Sequence, residues 1–397
     1  MPVAVNKVRD PKVFGVGQQR SPKRSKVAVL NKLAQFRAKR GLTAIELAKK
    51  IDVSRQTIYA MEAGTYVPNT LLALKLAHVL EVKVEDLFCL EGTEVPVASE
   101  NAELLPAEQE AQPGLPVQLC EVNEKLVAVL PAPTAWSLPP ADAVLLEAGR
   151  RRGKAKVQLF QREETQFRTR LRIAGCDPGI SVLLRHLQRE GVEAVVAYRN
   201  SSQSLHLLKD SLIHVAGSHL RDEATGESNL PVVRKQFPKD SVAVISYAIW
   251  QEGIVIARSN PKSIKGIDDL TRKNVVIVNR ELGSGSRNLL DSHLRRAGIV
   301  PNAVKGYDRI ASGHLPAAWQ VKNGLADCCL ATKIAASVFG LDFIPLESER
   351  YDLVIQNQNL SHPGVQVLLE TLGRTAFRRE LEGLGGYDTT ISGNRLV

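Results

Sequence analysis

From residue 171 onward, short apolar runs alternate with stretches whose apolar positions recur at helical spacing: LRIAGC, then ISVLLRHLQREG, VEAVVAY, SQSLHLLKDS and LIHVAG. Such alternation predicts strands and helices in turn, hence a parallel sheet flanked by helices. SVAVISYAIW leads into EGIVIARSNP, and a second αβ pattern begins with DDLTRK and NVVIVNR. Near the N-terminus the texture is purely helical. Val29, Leu33 and Phe36 mark a first helix stopped by Gly41; Thr43, with Glu46 three residues on, forms a capping box for a second, whose inner face is Leu47, Ala48 and Ile51. Ser54 caps a third, with Ile58 and Met61 inward, and TLLALKLAHVLEVKVEDLF adds two more. Between these regions, VQLCEV, KLVAVLP, AVLLEAG and KVQLF read as short strands separated by Pro, Gly and charges.

The expected organisation is a basic arm over residues 1–26, an all-α domain over 27–90, a linker over 91–116, a small β-rich segment over 117–169 and an α/β domain over 170–397. A length of 397 residues suits two or three cores. Apolar runs fall short of the roughly 18 residues a membrane helix needs, and the N-terminus lacks the apolar stretch of a secretory signal, so a cytoplasmic protein with no membrane partner is expected. Cys89, Cys120, Cys176, Cys328 and Cys329 form no CxxC pair and show no Cys/His metal spacing, so neither a disulfide framework nor a metal site is expected.

Charge changes the picture. Residues 1–60 hold 14 Lys/Arg against 3 Asp/Glu, leaving 38 against 39 for the rest of the chain. The basic excess therefore coincides with the helical domain and with an arm containing Lys7, Arg9, Lys12, Arg20, Lys23, Arg24 and Lys26, which is placed for phosphate contacts. On the third helix Arg55, Gln56, Thr57 and Tyr59 point outward, and Arg, Gln and Thr are side chains that hydrogen-bond base edges in a major groove. LTAIELAKKIDVSRQTIYAMEAGTYVPNTLLALKLAHVLEVKVEDLF resembles the Cro/repressor (XRE) helix-turn-helix family, in its spacing of Ala48, Val53, Ile58, Glu62, Gly64 and Pro68. The resemblance implies that the helix beginning at Ser54 reads double-stranded DNA, with Arg55, Gln56 and Thr57 nearest the bases and Tyr59 nearer a phosphate, and Thr43 at the start of the supporting helix. Ala44 departs from it, standing where many members carry a backbone-contacting Gln.

In the α/β domain the loops after strands are where ligands bind. Candidates are GCDPG at 175–179, with Asp177, and NSS at 200–202, with Ser201 and Ser202. In NRELGSGSRNLLDSHL, a strand, a turn with Gly283 and Gly285, and a helix starting near Ser286 describe an anion cradle: Ser284 and Ser286 offer hydroxyls and Arg287 a charged fork. Tyr307 and His314 lie on a later loop, while His219 and Asp222 read as structural hydrogen-bonding residues. No Walker-type lysine follows the cradle, and no GxSxG motif or metal spacing accompanies it, so catalysis is not expected.

HVAGSHLRDEATGESNLP, VNRELGSGSRNLLDSHL, VKNGLADCCLATKIAASVFGLDFIPLESERYDLVI and GGYDTTISG together resemble the periplasmic-binding-protein-like domain found fused to helix-turn-helix domains. The resemblance implies two αβ lobes joined by crossing strands, with Asp177, Ser201 and Ser202 on one side of a small anion, Ser284, Gly285, Ser286 and Arg287 on the other, and Tyr307 and His314 as weaker candidates on a later loop. SGHLPAAWQ and ADCCL depart from it, leaving Trp319, Cys328 and Cys329 either as core residues or as signs of a different ligand. The combined expectation is a homodimeric one-component regulator sensing molybdate or tungstate, with no cofactor. The alternatives are a small organic anion or pterin-like metabolite in the same architecture, and an enzyme acting on an anionic substrate.

Overall fold

The computed structural model describes residues 29–90, 99–106, 111–130, 140–148, 153–160, 166–222 and 225–397. The basic arm and residues 91–98 of the expected linker lie outside them. The chain divides into two units, one ending at Pro96 and the other beginning at Val97.

In the first unit β1 (Val29–Asn31) pairs antiparallel with β2 (Phe88–Leu90), around helices α1 (Leu33–Lys39), α2 (Ala44–Ile51), α3 (Arg55–Glu62), α4 (Thr70–Leu80) and α5 (Val84–Leu87). The predicted caps form. Thr43 Oγ accepts from Glu46 N while the Glu46 carboxylate accepts from Thr43 N at 2.7 Å, and Ser54 Oγ accepts from Thr57 N at 3.1 Å. Each such cap is worth about 1 kcal/mol. Leu33, Leu47, Ile51, Ile58, Met61, Leu76 and Leu80 close the core, and Arg37 on α1 grips Glu62 on α3 through Nε at 2.6 Å and Nη2 at 3.2 Å.

The second unit opens with a closed barrel, ordered β3 (Ser99–Leu104), β5 (Lys125–Val129), β4 (Pro116–Val122), β6 (Ala143–Ala148) and β7 (Lys154–Leu159). The four runs predicted as strands are strands. The linker reading of 91–116 is corrected at Ser99–Leu104: the sequence SENAEL has one fully buried position, Ala102, too little apolar alternation to announce a strand. One face of the barrel, with Cys120, Val122, Val127 and Val129, shares a core with Leu205, Leu208, Ile213 and Val354 of the α/β domain. Arg170 bridges the two, donating to the buried Asp142 carboxylate at 2.6 Å.

The α/β domain comprises β8 (Leu171–Gly175), α6 (Ile180–Arg189), β9 (Ala194–Tyr198), α7 (Ser201–Lys209), β10 (Val215–Ser218), α8 (Leu230–Gln236) and β11 (Val242–Ile256). It continues with β12 (Ile277–Arg280), α9 (Gly285–Arg296), β13 (Ile310–Ala311), α10 (His314–Lys322), β14 (Cys328–Thr332), α11 (Lys333–Val338) and β15 (Asp342–Gln356), and closes with α12 (Pro363–Gly373), α13 (Thr375–Gly383) and β16 (Tyr387–Asp388). Among the described residues one sheet runs β13-β12-β14-β11-β15-β10-β8-β9, with β16 on β11. Its flanks are parallel, as predicted, but its centre is antiparallel, because β11 and β15 pair along their whole length and each runs from one lobe into the other. SVAVISYAIW and EGIVI, read as successive segments, are thus one 15-residue strand. Where β10, β8 and β15 meet, Gly175 and Gly217 make room for Tyr351, and a Cβ at either would run into its hydroxyl.

His214 immediately precedes β10 in the lobe built on β8, β9 and β10 (lobe one; lobe two is built on β12, β13 and β14), its Nδ1 accepting from Arg172 N at 3.0 Å. Burial first, then the charges of His362 and Arg172, push its pKa down to about 3. The unfolded chain takes up this proton near pH 6.5 and the folded chain only near 3, so the stability involved is complete above 6.5 and is lost as pH falls through that window. Denaturant titrations should show stability dropping by up to about 1.4 kcal/mol per pH unit below 6.5. A His214→Gln variant should lack that component; equal slopes for both proteins would refute the assignment.

Candidate ligand site and DNA-facing surface

On the first unit, Ser54, Arg55, Gln56 and Tyr59 are exposed and Thr57 half-buried along the outer side of α3. Arg55 donates to the Tyr59 hydroxyl at 2.8 Å and lies 5.0 Å from its ring centroid, so the two form one exposed, cationic, aromatic-backed feature. Thr43 is exposed at the start of α2. Ala44, by contrast, is buried against the core, so its small side chain serves packing.

In the second unit the crossing strands create the site. Trp250 on β11 pairs with Glu349 on β15, and Glu252, two residues further, falls on the same face beside an irregularity between Glu252 and Gly253. Both glutamates are buried where the lobes meet. His219, following β10, is fixed by its backbone: its N–H donates to Ser201 Oγ at 3.1 Å, while Asn229 Oδ1 accepts from the flanking Ser218 hydroxyl and Leu220 N. Its ring donates to or accepts from Glu349 at 2.7 Å and lies among Trp250, Tyr351 and His314. From lobe two, the Ser286 hydroxyl donates to Glu252 at 2.5 Å, Arg280 approaches Ser286 at 3.4 Å, and His314 Nδ1 stands 3.8 Å from Glu252.

One ligand atom each of His219, Glu252 and Glu349 lie within 4.8 Å of one another, and the same holds for Cys176, His219 and His314. Two carboxylates at that separation repel by about 3–4 kcal/mol at an effective dielectric near 20. Burial first and Glu349 second push Glu252 up to about 7, against the opposing pull of His219, Ser286 and Arg280. Burial opposes a charge on His219, but Cys176 and Glu349 outweigh it and hold its pKa well above that of a free imidazole. Burial, then Arg280 and His219, hold His314 well below. Glu252 Oε2, His219 Nε2 and both His314 nitrogens are buried without a hydrogen-bond partner.

The predicted ligand residues divide into two groups. Ser201, Ser202, Ser284, Gly285 and Ser286 come together where the lobes touch: Ser202 N donates to Gly283 O at 3.2 Å, and Asn200 Nδ2 donates to Leu282 O at 3.2 Å. Ser284 is spent as the cap of α9, accepting from Arg287 N and donating to Glu281 O. The others are engaged by neighbouring residues. Arg287 and Tyr307 are bound to Asp291 and to each other, with the guanidinium 4.1 Å from the ring centroid. Asp177 is buried beneath, accepting from Tyr387 at 2.5 Å and Gly179 N at 2.9 Å, though its Oδ2 has no partner. Asp222 caps a turn through Thr225 N, in keeping with its structural reading, whereas His219 stands at the centre of the site. Cys328 and Cys329 are core residues and Trp319 is half exposed. No metal spacing was visible along the sequence; here His219, Glu252 and Glu349, far apart in sequence, bring potential ligand atoms together.

Sequence reasoning missed Glu252, Glu349, Arg280 and Cys176. The available signal was a Glu inside the apolar run VAVISYAIWQEGIVI, where a charge is costly to bury without a purpose. A small cavity of about 110 Å³, lined by His219, Arg221, Ser228, Glu349 and Arg350, and another of about 50 Å³, lined by Arg221, Gly285, Asn288, Arg296, Glu347 and Glu349, adjoin the buried group.

A Cβ on Gly285 would run into the His219 ring and backbone. Gly285→Ala should therefore hold the lobes apart, giving a larger radius of gyration by small-angle scattering than the parent, whereas Gly373→Ala, with open space around it, should not. Indistinguishable scattering from the two variants would show that the lobes close without this contact.

A helix-turn-helix family model matches residues 33–87 and a PBP superfamily domain model residues 184–373. The uncharacterized protein YvgK of Bacillus subtilis (strain 168) is 33% identical over 238 residues, covering 60% of this chain and 77% of that one. The uncharacterized HTH-type transcriptional regulator MJ0272 of Methanocaldococcus jannaschii is 52% identical over 64 residues, covering 16% of this chain and 97% of that one. Among solved structures, the sulfate-binding protein SubI from Mycobacterium tuberculosis H37Rv aligns with 55% of this chain and 85% of its own, at a TM-score of 0.42 and 15% identity. The chain belongs to the XRE-type helix-turn-helix regulators that carry a PBP-like ligand-binding domain.

Proposed function

We propose that the chain is a one-component transcription regulator, acting as a cytoplasmic homodimer, whose DNA affinity is set by a small ligand held between the lobes of its PBP-like domain. The observation that carries this reading is the buried polar group between the lobes, whose unpartnered nitrogens and oxygen call for something to bind them, in a chain that also carries a helix-turn-helix domain. The ligand selects the closed lobes, and that choice alters how two helix-turn-helix domains meet half-sites roughly 34 Å apart.

Molybdate and tungstate are the first ligands to test. In their favour, the N-termini of α7, α9 and α10 converge on the group and favour negative charge. Against a bare dianion stand Glu252 and Glu349, which a small organic anion or pterin-like metabolite with its own cationic or hydrogen-donating groups meets more easily.

Thermal unfolding against molybdate, tungstate, sulfate, phosphate, small carboxylates and divalent cations tests the reading, since a ligand at 100 times its Kd adds about 2.7 kcal/mol. One ligand should raise Tm and change operator affinity together; if no ligand at millimolar concentration does either, the sensor reading fails. On the DNA side, Arg55→Ala should relax sequence preference, while removal of residues 1–24 should weaken binding to every sequence and flatten its salt dependence. Equal losses on specific and random DNA from both changes would contradict this division.

A further inference from the structure

Residues from three parts of the α/β domain converge on one point and leave several buried polar atoms without a partner there. His219 comes from the end of β10, Glu252 and Glu349 from the middles of β11 and β15, and His314 from the start of α10. All four are at least nine-tenths buried, with relative exposures of 2%, 0%, 6% and 1% in that order. Cys176 adds a buried sulfur on the same side. Donor atoms of His219, Glu252 and Glu349 already lie within 4.8 Å of one another. Donors around a tetrahedral Zn²⁺ at bond lengths of about 2.0–2.1 Å stand roughly 3.3 Å apart, so a modest contraction brings these into a first coordination sphere.

We infer that His219, Glu252 and Glu349, with His314 as a further donor, form a site for a divalent transition-metal cation, and that this cation is the ligand that draws the lobes together. The inference rests on the reading of the interlobe group as the sensing site. Two carboxylates placed side by side without a paired arginine are costly to bury, and a doubly charged cation offsets both at once. Arg280, which approaches Ser286 at 3.4 Å, is committed to Glu281 through two hydrogen bonds of 2.9 and 3.0 Å. The unpartnered atoms are Glu252 Oε2, an acceptor, and His219 Nε2 and the two His314 nitrogens, each of which is a metal ligand once it sheds its proton. Mixed imidazole and carboxylate donors, with a thiol within reach, select Zn²⁺, Co²⁺ or Ni²⁺ over Mg²⁺ and Ca²⁺, which take oxygen ligands. Because His219 belongs to lobe one, His314 to lobe two and the glutamates to the strands between, occupancy ties both lobes to the hinge.

The test uses the full chain, stripped with a chelator and desalted. Equilibrium dialysis with metal analysis against Zn²⁺ and Co²⁺ should find one ion per chain, and Co²⁺ should give the visible absorption of a low-coordinate site; Mg²⁺ should not compete. Glu252→Gln and His314→Gln, each checked for native circular dichroism, should weaken binding ~100-fold, on the scale at which metal-site contacts act. Stoichiometric binding unchanged in both folded variants, or no binding by the parent at micromolar Zn²⁺ and Co²⁺, overturns the site. If molybdate or tungstate raises Tm while no divalent ion binds, the inference falls and the sensor reading stands. If Zn²⁺ binds with one-to-one stoichiometry but operator affinity is unchanged, the site stands and its role as the sensed ligand is overturned.

Discussion

Two strands of 15 residues, β11 and β15, lie side by side and pass together from one lobe of the α/β domain to the other. Glu252 and Glu349 take their positions from this pairing. It sets Trp250 opposite Glu349, brings Glu252 onto the same face, and leaves the register irregular at Glu252/Gly253, where the sheet changes lobes. Gly253 allows the strands to stay close there, since a Cβ would collide with the Ile344 carbonyl. The parallel flanks β8-β9 and β12-β13 then hang from this antiparallel spine, and their following helices deliver Ser201, Ser286 and His314 to its midpoint.

The energetic character of that midpoint follows from burial. Aromatic rings of Trp250, Tyr351 and His219 pack at centroid distances of 4.7–6.1 Å around the carboxylates, excluding water and keeping the local dielectric low. In such surroundings each charge must find a partner or change protonation. Glu349 finds His219, Glu252 finds the Ser286 hydroxyl and is pushed up to about 7, and His314 is left neutral with both nitrogens unpartnered. The arrangement thus brings two carboxylates and two imidazoles to one point, which changes the ligand chemistry that a glycine- and serine-rich loop alone implies.

Local features were legible in the sequence because local physics decides them. Thr43 and Ser54 cap as expected, the helical spacing of Leu47, Ile51, Ile58 and Met61 names the core of the first unit, and the GSGS turn does open a helix at a lobe boundary. What escaped depends on long-range pairing. Glu252 and Glu349 are 97 positions apart and His219 and His314 are 95 apart, so no spacing rule joins them. Arg287 and Tyr307 carry plausible chemistry in the right neighbourhood, yet the intervening Asp291 binds both and turns them to the support of α9. The strand at Ser99–Leu104 was hidden for another reason: barrel closure, with neighbours β5 and β7 on both sides, holds it in place with little apolar burial of its own.

Gly175 and Gly217 have no functional atoms to offer, yet the Tyr351 hydroxyl occupies the space above both. Tyr351 in turn packs against Trp250 at 4.7 Å and His219 at 6.1 Å between ring centroids. A methyl group at either glycine therefore displaces a ring that walls the interlobe group, and the disturbance reaches His219 without touching it. At Gly175 and Gly217, steric adjacency to the spine and not chemical type sets the tolerance to substitution, so two featureless positions share the constraint of the buried group that Tyr351 walls.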